Sequence, residues 1–188
     1  MSAYQVCGAY LCDDLKYRYR LWRQWDAIGK TCLFVMLNPS TADSENDDPT
    51  IRRCVGFAKS MGCTRLEVVN LFAYRTKSPK VLKSVTDDPV GPENREAIEL
   101  AAYRAALIIC AWGAHGNYLG QDAIVCEWLR TASDRTFALG FTASGQPRHP
   151  LYAPKAAQLL PMLKTQARGQ IEEARSADTG TAEQSRSA

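Results

Sequence analysis

Four short apolar runs stand out along the chain and predict buried strands at residues 32–37, 66–71, 107–112 and 136–139. Upstream of them, residues 16–25 alternate partly between apolar and polar positions. This alternation predicts an edge strand or a hairpin with residues 10–11.

Helical spacing of apolar residues fills the segments between the predicted strands. One helix is predicted to begin at Asp48-Pro49-Thr50 and to end at Gly62, and a second begins at Gly91-Pro92-Glu93. Two more are predicted over residues 118–130 and 153–163. Strands that alternate with helices favour parallel crossovers. We therefore expect a three-layer α/β/α fold with a central, mostly parallel four-stranded sheet and an N-terminal hairpin or edge strand.

Length and composition fit one folded domain followed by a tail. The chain has 188 residues, of which 46% are apolar, so a sizeable core is expected and fibrous or wholly disordered classes are excluded. Residues 166–188 are rich in Ser, Ala, Gln, Arg and Glu and contain no aromatic residue. We expect a single domain over residues 1–165 and a disordered tail over residues 166–188.

The net charge of +3 conceals an uneven distribution of basic residues. Residues 51–83 hold eight bases and one acid, and residues 16–30 hold five bases and one acid. Such blocks are typical of proteins that bind an anionic partner such as nucleic acid, although a solubilising surface would produce the same composition.

Cysteine usage and hydropathy indicate the compartment. The seven cysteines are scattered and include no C-x-x-C pair, so free thiols in a reducing cytoplasm are expected and neither a metal nor another cofactor is predicted. We expect no secretion signal and no membrane span, because the N-terminus lacks a basic-then-apolar pattern and no apolar run approaches 18 residues. We expect a cytoplasmic monomer with no membrane partner.

Polar and conformationally restricted residues follow each predicted strand. In an open parallel sheet, ligands bind beyond the carboxyl ends of the strands, so residues at four strand ends predict one shared site. The residues concerned are Asn38, Ser40 and Asp43 after the first strand, Asn70, Phe72 and Arg75 at the second, Trp112 and His115 at the third, and Arg148, His149 and Tyr152 after the fourth.

Each of these residues has a structural reading as well as a chemical one. Asn38 either closes an Asx turn before Pro39 or presents an amide oxygen that orients a water. Asp43 either caps its loop or acts as a base. Asn70 either bridges structural elements or reads the edge of a ligand, since an amide offers one donor and one acceptor side by side.

The two histidines differ in context. A capping or surface role is favoured for His115, which follows Trp112-Gly113 near a predicted helix start. His149 lies in a loop before Pro150, where packing explains it less easily, so a functional role is favoured. Leu151 and Tyr152 either cover the last helix or wedge into a base stack.

Several motifs together resemble known families. The segments N-P-S-T-A-D (38–43) and D-P-T-I-R-R-C (48–54), followed by V-V-N-L-F (68–72), resemble a bacterial and phage family of unknown function over residues 15–163. More distantly, four pieces in order resemble the uracil-DNA glycosylase superfamily: Leu37-Asn38-Pro39-Ser40, Val69-Asn70-Leu71, Ala111-Trp112-Gly113-Ala114 and His149-Pro150-Leu151-Tyr152.

The resemblance implies a fold of uracil-DNA-glycosylase type and a role for each matching residue. Asn38 would position the attacking water, and His149 would donate to the base oxygen on which charge develops. Asp43 is a second catalytic candidate from its own residue type and not from the resemblance. Asn70 would read the flipped base within a pocket shared with Ser40, Phe72 and Trp112. Leu151 or Tyr152 would fill the gap left in the duplex. The predicted DNA contacts are Arg52, Arg53, Arg75, Lys77, Arg148, Leu151 and Tyr152.

The first motif and the late loop depart from the superfamily pattern, so the predicted substrate is a modified base, such as a hypermodified base of phage DNA, rather than uracil alone. The predicted activity is that of a monofunctional DNA glycosylase acting on double- or single-stranded DNA. Two alternatives remain open: hydrolysis of free nucleosides or nucleotides, and non-catalytic binding of modified nucleic acid.

Overall fold

A computed structural model describes residues 4–40 and 46–162, and within this part seven strands form one sheet. The strands are β1 (Val6–Leu11), β2 (Arg18–Gln24), β3 (Lys30–Met36), β4 (Cys63–Asn70), β5 (Leu107–Cys110), β6 (Thr136–Ala138) and β7 (Leu160–Pro161). The helices are α1 (Pro49–Ser60), α2 (Pro79–Leu82), α3 (Asn94–Arg104) and α4 (Gln121–Trp128).

The sheet is mixed, with the order β1-β2-β4-β3-β5-β6-β7. The strands β4, β3, β5 and β6 pair in parallel, whereas β2 joins β4, β1 joins β2 and β7 joins β6 antiparallel. The predicted strands correspond to the parallel ones, and the predicted hairpin is β1–β2. The prediction lacks one strand, β7, which pairs antiparallel with β6 and extends the sheet at the edge opposite the hairpin.

Helices cover both faces of the central strands, which explains why those strands are continuous apolar runs. Along β3, Leu33 and Val35 belong to a buried cluster that includes residues of α3 and α4. Their neighbours Phe34 and Met36 belong to the cluster that includes residues of α1. Alternate side chains of one strand thus stabilise two different helix–sheet interfaces.

Helix α1 begins and ends as its sequence predicts. The Asp48 carboxylate accepts the backbone N–H of Ile51 at 2.8 Å, and Pro49 occupies the first helical position. Gly62 follows the helix with φ +71, a left-handed conformation that favours glycine. The N-cap fixes Asp48 at the carboxyl edge of the sheet, beside the loop that follows β3.

The helix predicted over residues 153–163 is wrong. A 3-10 turn at Pro150–Tyr152 is followed by an irregular segment and by β7. Pro161 argues against the later part of this helix, because proline beyond the first turn lacks the N–H that a helix needs and disfavours a helical residue before it. The helix predicted over residues 118–130 is interrupted at Gly120, which has φ +66 and lies immediately before α4.

Two further predictions fall outside the described residues: the disordered tail at 166–188 and the role of Asp43. For residues 4–40 and 46–162, the helices are all too short or too polar to cross a membrane.

Candidate functional site

A cavity of about 690 Å³ opens at the carboxyl ends of the central strands. Strands β4 and β5 lie on opposite sides of β3, so the strand order reverses at β3. Parallel α/β sheets bind ligands at the carboxyl ends of the strands beside such a reversal, and the cavity lies there. Nine of the residues predicted for the shared site or for DNA contacts line this strand-end cavity: Asn38, Ser40, Asn70, Lys77, Trp112, His115, Arg148, His149 and Tyr152.

Asn38 lines the strand-end cavity, and two hydrogen bonds fix the orientation of its amide. Its Nδ2 donates to the carbonyl oxygens of Pro39 at 3.1 Å and Thr76 at 2.9 Å. Carbonyl oxygens only accept, so these two bonds fix which end of the amide is nitrogen. The oxygen has no partner within the described residues, and it is available to accept a hydrogen bond from a water or ligand.

Asn70 brings an unsatisfied donor to the same cavity. Its side chain is buried, with 2% exposure, and its Nδ2 has no hydrogen-bond partner within the described residues. Buried amides are rarely left unpaired, so such a group in a cavity wall indicates a place where a ligand supplies the acceptor. Asn94 of α3 fixes this strand end by donating to the carbonyl oxygens of Asn70 and Leu71 at 3.0 Å each.

The imidazole of His149 is held as a neutral donor. Its Nδ1 accepts the backbone N–H of Leu151 at 3.3 Å, so Nδ1 carries no proton and the neutral ring has its N–H at Nε2. Burial lowers the pKa of His149 below its usual range, and the opposing charge of Asp48 is the smaller effect. The ring is therefore neutral at pH 7.

Contacts from two other elements hold the loop that carries His149. Arg53 of α1 donates to the carbonyl oxygens of Pro150 at 3.3 Å and Ala153 at 2.6 Å, and its guanidinium lies 4.7 Å from the centre of the Phe57 ring. On the other side, the N–H of Gly113 donates to the carbonyl oxygen of Pro147 at 2.8 Å.

Gly113 also lies against the histidine. Its φ is +76, and a Cβ placed there would lie 3.4 Å from the Cβ of His149. The turn after β5 and the histidine loop are thus in direct contact. These two features explain why glycine follows Trp112: the backbone there is left-handed, and the histidine loop leaves little space for a side chain.

Trp112 forms part of the cavity wall and is itself held by a chain of hydrogen bonds. Its Nε1 donates to Gln146 Oε1 at 2.6 Å, and Gln146 Nε2 donates to Asp122 Oδ2 at 2.7 Å. Gly116 lies against the indole so closely that a Cβ there would be 2.0 Å from Trp112 Cδ1. The ring, which is 2% exposed, is therefore held in one position in the cavity wall.

Asp48 is a cavity residue that the sequence identified only as a helix start. It lines the strand-end cavity, and its Oδ2 accepts the hydroxyl hydrogen of Ser40 while Oδ1 caps α1. Arg18 was missed as well: it is 3% exposed and lines the cavity from the start of β2. The available signal was the alternation of Tyr and Arg over residues 17–20, which does not show that Arg18 is buried or which surface it faces.

The predicted DNA contacts divide into three groups. Lys77, Arg148 and Tyr152 line the cavity, with Tyr152 77% exposed beside the 45% exposed Leu151. Arg52 and Arg75 do not line it: each donates to a backbone carbonyl oxygen, of Asp47 and Leu15 respectively. Arg53 is engaged by the histidine loop.

Phe72, a predicted base contact, does not line the cavity. Phe72 is fully buried in the core cluster, 5.5 Å from the ring centre of Tyr118. Asn70 at the end of β4 lines the cavity, whereas Phe72, two residues later, packs in the core. Asp43 lies outside the described residues.

Comparison with known proteins defines the family. A family model described as "Protein of unknown function (DUF1643)" matches residues 18–151, a span that begins at Arg18 and includes His149. The chain has no significant match among curated proteins or among solved structures, and nothing in the comparisons links it to the uracil-DNA glycosylase superfamily. Because the matched span covers more than half of the sequence, the chain belongs to the DUF1643 family of proteins of unknown function.

Proposed function

We propose that this protein is a DNA glycosylase that hydrolyses the N-glycosidic bond of a flipped-out, modified base and leaves an abasic site. The observation that carries the proposal is the convergence of three groups in one cavity. They are the fixed amide oxygen of Asn38, the neutral imidazole of His149 and the unpaired buried amide nitrogen of Asn70.

These groups match the needs of N-glycosidic hydrolysis. As the bond breaks, the sugar becomes positively charged and the base leaves with the electron pair. The N–H at Nε2 of His149 donates to the base oxygen on which negative charge develops. One such donor contributes roughly 2.7–4 kcal/mol of transition-state stabilisation. Asn38 orients the water that attacks the sugar carbon, and Asn70 donates to an acceptor on the base.

The cavity volume favours a base with a substituent. Sites of about 300–1,000 Å³ accommodate drug-sized ligands, and the cavity of about 690 Å³ exceeds the needs of one unmodified pyrimidine ring. Trp112 contributes an apolar part of the cavity wall. A modified base is therefore the substrate that this site supports best.

The rim of the cavity suits a DNA backbone. Lys77 and Arg148 provide positive charge beside the opening, and the exposed side chains of Leu151 and Tyr152 project from the 3-10 turn next to His149. Apolar tips of this kind replace an extruded base in a stack, and cations bind the flanking phosphates. The resemblance of four ordered motifs to the uracil-DNA glycosylase superfamily, and the parallel pairing of the central strands, support the same proposal at the level of fold.

The test is an assay for abasic sites on a panel of DNAs. Duplex and single-stranded oligonucleotides with uracil, hydroxymethylated, glucosylated or otherwise hypermodified pyrimidines are incubated with the protein and then cleaved with alkali. We expect strand breaks that depend on one class of base. His149→Ala and Asn38→Ala should each reduce base release about 10²–10³-fold.

Asn117→Ala is the matched control, since Asn117 is exposed and does not line the cavity. Turnover of a mononucleotide with no effect of salt would instead identify a nucleotide hydrolase. DNA that is retarded in a gel without gaining abasic sites would identify a binding module. Either result refutes the proposal.

A further inference from the structure

We propose that Asp48 is a further catalytic residue of the strand-end cavity: its carboxylate faces the sugar of the extruded nucleotide and accepts the proton of the attacking water. This inference rests on the proposed glycosidic hydrolysis. It assigns the role of proton acceptor to Asp48, which the sequence identified only as a helix start.

Position and orientation single out this side chain. Asp48 is the only acidic residue among the described residues that line the cavity. Its two oxygens are held from different directions, Oδ1 by the N–H of Ile51 and Oδ2 by the hydroxyl of Ser40. Each carboxylate oxygen has a second lone pair, so a carboxylate held in this way still accepts a proton from the cavity.

An independent observation indicates that a ligand enters this space. The side chain of Asn70 is 2% exposed, lines the same cavity and leaves its Nδ2 without a partner within the described residues. Asn38 also lines the cavity, with its amide oxygen unengaged. A nucleotide whose base reaches Asn70 therefore shares the cavity with the Asp48 carboxylate.

The chemistry needs a proton acceptor that Asn38 cannot provide. The bond between C1′ and the base nitrogen breaks and its electron pair leaves with the base, while the water oxygen forms a new bond to C1′. The water must then lose one proton. An amide oxygen orients the water but does not take that proton at neutral pH, whereas a carboxylate does. Asp48 returns the proton through solvent to the departed base, so the products are the free base and an abasic sugar, with no other reactant.

Asp48→Asn removes the charge with little change in structure. Asparagine is also a favoured N-cap, so its amide oxygen still accepts from Ile51 and α1 is retained. The matched control is Asp134→Asn, which changes the net charge equally. Asp134 has a side-chain exposure of 78%. It precedes β6 and therefore lies at the amino ends of the parallel strands, opposite the cavity.

Two measurements test the proposal. The first is the affinity for two DNAs that carry an abasic analogue, a neutral tetrahydrofuran or a cationic pyrrolidine that mimics the charged sugar. The wild type and Asp134→Asn should bind the cationic DNA about tenfold or more tightly than the neutral one, and Asp48→Asn should lose this preference. The second is the single-turnover rate of base release, which Asp48→Asn should lower about 10²–10⁴-fold. Thermal unfolding verifies that both variants fold.

The outcomes separate this inference from the proposed function. If the wild type releases a base, and Asp48→Asn keeps both the rate and the preference for the cationic DNA, the role of Asp48 is wrong and the glycosylase proposal stands. If the wild type shows no preference between the two analogues, the role of Asp48 is also refuted. If no DNA is bound and no base is released, both are overturned.

Discussion

Replacing Arg53 with methionine distinguishes a DNA contact from a clamp on the histidine loop. The sequence predicted that Arg53 binds phosphate, as one base in a basic block. The structure shows its guanidinium bonded to the carbonyl oxygens of Pro150 and Ala153, directly beside His149. Methionine retains most of the aliphatic stem, so the substitution removes mainly the charge and the donors.

The size of the effect follows from these contacts. A hydrogen bond from a charged donor contributes roughly 1.5–3 kcal/mol. The bond to Ala153 at 2.6 Å is short, whereas the bond to Pro150 at 3.3 Å is long and weaker, and the stacking on Phe57 adds about 0.5–1 kcal/mol. Arg53 is half-buried, so in the variant water replaces part of these hydrogen bonds and reduces the loss of stability. We expect Arg53→Met to lower the free energy of unfolding by about 1.5–3 kcal/mol.

The kinetic consequence is larger than the loss of stability suggests. A shift of about 1 Å in a catalytic group costs on the order of 10²-fold in rate. Single-turnover base release by Arg53→Met at saturating protein should therefore fall by about that factor, while the salt dependence of DNA affinity stays unchanged. The control is Arg104→Met, an exposed arginine at the end of α3. An unchanged rate, together with a salt slope reduced by about one, would refute the clamp and support the DNA contact.

Three further predictions concern the cavity wall and its titration. Gly113→Ala should reduce stability by about 1–2 kcal/mol in urea unfolding, because φ is +76 there, and it should lower base release; unchanged values of both would contradict the contact with His149. The folded-state pKa of His149 is lowered, so unfolding takes up a proton and stability falls as the pH drops below about 6.5. Urea unfolding at pH 7.5 and 5.5 should show this loss in the wild type and a smaller one in His149→Gln, and equal losses would refute it. Asp48→Ala should cost about 1 kcal/mol through the lost cap of α1, whereas Asp48→Asn should cost only a few tenths, as thermal unfolding measures.

The strands that position the site were predictable because they are buried on both faces. A short continuous apolar run such as residues 32–37 is typical of a buried strand. Strand β3 ends within one residue of the predicted end. The edges of the sheet carry weaker signals. Strand β7 has only two residues, Leu160 and Pro161, both exposed, so no alternation marks it. Pro161 lies within the predicted helix and is incompatible with its last turns, although the apolar spacing there is helical.

The cavity was located by topology more than by motif. Asn38, Asn70, Trp112 and His149 follow different strands, and parallel pairing brings these strand ends together. The chemical role of each remains a prediction.

The supporting contacts were not predictable, because each joins residues far apart in sequence. Asn94 bonds to a carbonyl 24 positions away, and Arg53 bonds to one 100 positions away. No local pattern encodes such a pairing.

The most direct test of the account is to quantify both products of one reaction. The protein is incubated with the DNA on which it acts best, the free base is measured by mass spectrometry, and abasic sites are counted on the same sample. The account predicts equal amounts of free base and abasic sites, and a loss of both by about 10²–10³-fold in His149→Ala. Bound DNA that yields neither product, or a His149→Ala variant that yields both at the wild-type rate, would contradict it.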